Sequence, residues 1–191
     1  MKILPLYRMS IIASLAALHV TAHAADLGTK AFDAALCKPA YSVNSATALY
    51  NEAEKVAKAD MLSGAATYTL PQAVERDGFT ARQLVVAGTA IGVLIEGERA
   101  DALAAKYQLV KEDANLLSGY KVNNRYAAYN RYTKGYAREM AVNGISKVSI
   151  YGNPGTVLIA ARESQAFPGK TLLTCEFISD FDRDQAKAAS H

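Results

Sequence analysis

Histidine placement sets the first limit on what chemistry this chain can do. Its 191 residues include three: His19, His23 and His191. The first two sit in an N-terminal leader and the third is the last residue. A Ser-His-Asp or Cys-His nucleophile system needs an imidazole base. The common histidine-based zinc sites need imidazole ligands. Between His23 and His191 the sequence offers none. It also has no GxSxG elbow, P-loop or GxGxxG fingerprint. No cofactor and no metal site is expected.

Carboxylates pass this filter. Glycoside cleavage needs two acids about 5 to 9.5 Å apart, one of them kept protonated. Glu96 and Glu98 lie at the exit of an apolar run, where a partly buried acid could arise. The same acids have a structural reading. Glu98 and Asp101 fall in the first turn of a helix, where negative charge meets the positive end of the dipole, and Glu96 is a rim residue. Asp180, Asp182 and Asp184 alternate like the start of a calcium loop. That loop wants Gly at its sixth position and Glu at its twelfth, and the chain has Gln185 and His191 there. These three acids read as part of a solvated polar tail over 180–191. A carboxylate-based cell-wall hydrolase is the enzymatic alternative that remains.

The most biased stretch is Ser118 to Glu139, SGYKVNNRYAAYNRYTKGYARE. It holds five of the eleven tyrosines, at 120, 126, 129, 132 and 136, with five cations and Glu139 as its one acid. Tyrosine and arginine are the types enriched at interface hot spots, because each offers a large contact area with a polar end. Tyr126, Tyr129, Tyr132 and Tyr136 can share a helix face, flanked by Arg131, Lys134 and Arg138. The same residues can also line a strand or a loop, or pack on the protein's own sheet. The expected partner-binding residues are Ser118, Tyr126, Tyr129, Arg131, Tyr132, Lys134, Tyr136 and Arg138. A protein partner is expected, of the kind of a cell-wall hydrolase or a secreted toxin. An envelope module binding a glycan, a peptidoglycan fragment or a lipid is the alternative.

Ser118-Gly119, a following tyrosine and Lys134-Gly135 resemble the SGxxY…KGxxA signature of periplasmic inhibitors of c-type lysozyme. The resemblance covers about twenty residues. Tyr120 follows Gly119 at once, Tyr126 comes later than the pattern asks, and Ala137 comes one position early. In that family the serine and lysine are offered to the enzyme's catalytic acids. The resemblance implies that role for Ser118 and Lys134.

The leader sets the compartment. Lys2 and Arg8 precede a twelve-residue apolar run from Met9 to Val20, and Ala22-His23-Ala24 gives the small-x-small cleavage pattern. A signal peptide over 1–24 is expected, with the mature chain in the periplasm or secreted. Twelve apolar residues are short for a membrane span, so no stable membrane anchor is expected. The formal net charge is +3. Without Lys2 and Arg8, 19 cations face 18 acids, so the mature protein is almost neutral. Nothing in that balance favours nucleic acid, and the 118–139 stretch becomes a local basic feature. Export places Cys37 and Cys175 in an oxidising compartment, where one disulfide is the default reading.

The elements that must hold these residues follow from periodicity. A short helical turn is expected over 33–37, stopped by Pro39. A helix follows from Asn44 or Ser45 to about Met61, with Leu49, Tyr50, Ala53, Val56 and Ala57 on one face. Ala66–Leu70 reads as a strand ended by Pro71, and Asp77-Gly78 as a turn. Thr80–Ala87 and Thr89–Glu96 read as a buried antiparallel hairpin, and Glu98–Leu109 as a second amphipathic helix. Lys147–Tyr151, Thr156–Arg162 and Thr171–Ser179 complete the strands. The expected architecture is a single α+β domain over 25–191. It has a mostly antiparallel sheet of about five to seven strands, two or three helices and one disulfide.

Overall fold

A computed structural model describes residues 26–39, 41–61, 65–112, 132–145 and 147–188. The expected leader lies outside these residues, as do Ser118, Tyr126, Tyr129 and Arg131. The chain forms one α+β unit built on an antiparallel sheet, with one disulfide. Its elements in order are α1 (26–35), α2 (Val43–Glu54), β1 (Ala66–Arg76), β2 (Phe79–Ala87), β3 (Ala90–Glu96), α3 (Ala100–Tyr107), β4 (Val110–Lys111), β5 (Tyr132–Met140), β6 (Val148–Ile150), β7 (Asn153–Ser164), β8 (Lys170–Ser179) and α4 (Asp180–Ala188). Eight strands and four helices among the described residues exceed the expected counts. The excess strands are β5 and the short β4. The excess helices are α1 in full and α4.

Strands are ordered β1-β2-β3-β8-β7-β5-β4, with β6 pairing β7 beyond the main path. Each hairpin is sequential, but β8 returns to the middle between β3 and β7. The centre of the sheet is therefore a strand from the end of the chain. β3 and β8 come so close that a Cβ at Gly92 would lie 2.1 Å from the Leu173 carbonyl oxygen, and glycine meets that limit.

Alternation decides the faces. Tyr68, Leu84, Ile91, Val93, Ile95, Val157, Ile159, Leu173 and Phe177 join Leu27, Phe32, Leu49 and Leu103 of the helices in the main core. α1, α2 and α3 thus share one face of the sheet. The opposite face holds a smaller buried group of Val85, Leu94, Tyr132, Phe167 and Leu172.

Local differences from expectation have physical causes. β1 does not stop at Pro71 but runs to Arg76 through a register shift between Thr69 and Val74. Pro71 is tolerated there because β1 is an edge strand, where a missing N–H breaks no ladder. α2 ends at Glu54 rather than near Met61, because Asp60 exchanges two backbone hydrogen bonds with Thr67 of β1. Its start is fixed by Ser42 and Ser45, each capping the other's backbone N–H. The described part of the expected polar tail is helix α4. The Asp182 N–H donates to Ser179 Oγ at 3.1 Å, an N-cap bond, and the Ser179 hydroxyl donates to Asp182 Oδ2 at 2.6 Å.

Cys37 and Cys175 form the expected disulfide, with a Cα–Cα distance of 5.1 Å across 138 residues. It ties the segment after α1 to the central strand β8.

Candidate functional site

The described part of the tyrosine-rich stretch is strand β5. Lys134 pairs with Glu163, Tyr136 with Ala161 and Arg138 with Ile159 across β7. These three residues alternate along β5, so their side chains form a row on one face. It is the face that carries α3. A register shift between Tyr132 and Lys134 turns Tyr132 to the other side. The tyrosines of the described segment therefore take the strand alternative rather than the shared helix face, and they divide between the two sides of the sheet.

A single carboxylate organises the row. Asp101, in the first turn of α3, accepts from the Lys134 amino group at 2.5 Å and from the Tyr136 hydroxyl. Both bonds are exposed to solvent. The Lys134 bond, followed by the Tyr136 bond, holds the Asp101 carboxyl below its usual range. The same contacts raise the Lys134 ammonium and the Tyr136 hydroxyl. At neutral pH Asp101 and Lys134 thus stay charged and Tyr136 stays neutral, as their pairing requires. α3 is held in place by Glu163, which accepts from the Ala100 N–H at 3.2 Å, and by Thr171, which accepts from the Arg99 N–H at 2.6 Å. Arg138 is exposed further along the strand. Val110 of the edge strand β4 pairs beside the row at Ala137, and is 70% exposed.

Tyr132 faces a buried ionic cluster beneath the other side of β5. Its ring lies 5.0 Å from the Arg162 guanidinium carbon. Arg162 donates two hydrogen bonds of 2.7 Å to Glu112, one from Nε and one from Nη2. Nη2 also lies 2.6 Å from Glu176 Oε1, as an ion pair. The side chains of Arg162, Glu112 and Glu176 are 2%, 6% and 11% exposed. Burial alone disfavours the guanidinium charge. The two carboxylates outweigh it and hold Arg162 protonated well above its ordinary range. Burial pushes the Tyr132 hydroxyl up, with Arg162 opposing. Tyr132 thus anchors β5 from below while its neighbours present the row above.

The other candidates separate. Glu96 pairs opposite Lys170 at the end of β3, and Glu98 is exposed after Gly97. Asp180, Asp182 and Asp184 lie in α4, where Asp180 pairs with Lys147. Among the described residues no group of three His, Cys, Asp or Glu is placed to hold a metal ion. Sequence reading named Lys134, Tyr136 and Arg138 but missed Asp101 as their organiser and Arg162 as the partner of Tyr132. Asp101 is 33 residues from Lys134 and Glu112 is 50 from Arg162, too far for any local pattern to signal. No family model, curated protein or solved structure matches the chain.

Proposed function

We propose that this chain is an exported, non-enzymatic protein that binds another protein, as an inhibitor or immunity factor against an enzyme or toxin acting on the cell envelope. The row of Lys134, Tyr136 and Arg138 on one face of β5 carries this reading. Two of its three members are held in fixed positions by Asp101, which lowers the entropy lost when a partner docks. Exposed Val110 adds apolar area beside the charges. Ser118, Tyr126, Tyr129 and Arg131 precede the row in sequence and belong to the proposed surface, with Tyr132 as its buried anchor. The resemblance to lysozyme inhibitors agrees in one respect. Lys134 already meets a carboxylate, and a partner's acid could take the place of Asp101. The proposed compartment is the periplasm or the exterior, after cleavage near Ala24.

The test is inhibition and surface-plasmon binding with the mature protein. The panel holds c-type lysozyme, other peptidoglycan hydrolases and secreted toxins from neighbouring genes. K134A/R138A is expected to weaken a captured interaction by about tenfold or more, as hot-spot truncations do. Equal binding by wild type and double variant would remove the row from the interface. Peptidoglycan turnover that disappears in Glu96→Gln would instead make the protein a hydrolase.

A further inference from the structure

A second surface lies on the same face of the sheet as the row, three strands away, and stands independently of the partner-binding reading. α1, the segment after it and α2 enclose a half-open cleft of about 360 Å³. That volume falls within the range of small-molecule sites, roughly 300 to 1,000 Å³. Ala34, Pro39, Tyr41, Ala46, Leu49 and Ile91 give it a mainly apolar lining. A smaller hollow of about 120 Å³ continues from it past Tyr41 and Ala46 to Tyr50 and Tyr151. The two hollows share Tyr41 and Ala46 in their linings.

Four charged side chains line the larger cleft: Lys30, Asp33, Lys38 and Glu52. Lys30 sits between Asp26 at 2.8 Å and Glu52 at 3.1 Å. Asp33 is paired with Arg76. Lys38 is exposed, with no ion pair among the described residues. Among the described residues it is the lining charge without an ion-pair partner. Its backbone follows Cys37, which the disulfide ties to β8.

We propose that this cleft binds a small amphiphile, with an apolar chain along Leu49, Ile91 and Tyr41 and one anionic head group at Lys38. A carboxylate on a medium-length alkyl chain has that shape and charge. A cationic head would meet Lys38 with like charge, and a neutral head would gain nothing from it.

Calorimetric titration of the mature protein with decanoate, decanol and decyltrimethylammonium, each below its micelle concentration, tests the site. Decanoate is expected to bind saturably and at least about tenfold more tightly than the cation, as a single charge contact at a partly exposed site allows. Lys38→Glu should reverse that order. Ala46→Phe should block all three while thermal unfolding still shows a folded protein. Lack of saturable decanoate binding by the wild type would overturn the proposal. So would an unchanged order in Lys38→Glu, or unchanged binding in a folded Ala46→Phe.

Discussion

Removing the guanidinium of Arg162 tests whether β5 is anchored from below. Arg162→Met keeps a similar volume and the ring contact to Tyr132, but leaves Glu112 and Glu176 with a carboxylate each, 6% and 11% exposed. Breaking a buried pair by deleting one partner costs about 3 to 5 kcal/mol, because the remaining charge is left without compensation. Arg162 faces two acids, with two 2.7 Å bonds to Glu112 and a 2.6 Å approach to Glu176. The expected loss is therefore about 4 kcal/mol, reduced from the top of the range because Glu176 reaches some water. A folded unit of about 160 residues has an unfolding entropy near 0.34 kcal/mol per degree, so Tm should fall by roughly 12 °C. The assay is urea and thermal unfolding followed by circular dichroism. A second variant, R162M/E112L/E176L, replaces the whole cluster by apolar groups and should recover most of the loss, since such replacements are often neutral. A cost for Arg162→Met below about 1 kcal/mol, the level of a surface pair, would refute the reasoning. So would a triple variant no more stable than the single one.

Two further perturbations probe the frame. Replacing Cys37 and Cys175 together by Ala opens a loop of 138 residues, worth up to about 5 kcal/mol in the chain-entropy model. The urea midpoint should drop clearly against the oxidised wild type, and an unchanged midpoint would show that the tie adds nothing. Buried tyrosines should make the fold sensitive to alkali. Burial pushes Tyr41 up to about 12 and raises Tyr132 as well, from an ordinary value of 10.0. Above pH 10 the unfolded chain loses these protons while the folded one keeps them. Stability is thus full below pH 10 and falls as pH rises through the folded values. Tyr132→Phe should flatten the fall measured by urea midpoints between pH 9 and 11.5, and an identical slope would count against burial as the cause.

The elements visible in the sequence were those set by short-range rules. The Asp77-Gly78 turn and the β2–β3 run follow from neighbours a few residues apart, whereas the cap of α2 is Ser42, ahead of the expected Asn44 or Ser45. Beyond local range the signal failed. Asp60 could not be assigned to β1 from α2's own periodicity, so the helix was read too long. Pro71 says that a strand avoids the centre of a sheet, yet not that an edge strand continues through it. The row on β5 was named in part because composition marks it. The register shift after Tyr132, which decides which tyrosine is core and which is surface, depends on pairing with β7.

The sheet order makes the two proposed surfaces separable. β5, which carries the row, and β3, which gives Ile91 to the cleft, are three strand steps apart through β8 and β7. At about 4.8 Å per step the separation is roughly 14 Å. That exceeds the range at which substitutions without shared partners couple, about 7 to 10 Å. Lys134 and Arg138 share no described contact with Lys38 or Ala46, so changes at one surface leave direct binding at the other intact. The disulfide is the exception. It fixes the cleft wall at Cys37 and enters the sheet at Cys175, opposite Ile159 of β7. Ile159 in turn pairs with Arg138. One covalent tie therefore positions a wall of the cleft and the strand next to the row, and reduction is the perturbation that reaches both surfaces at once.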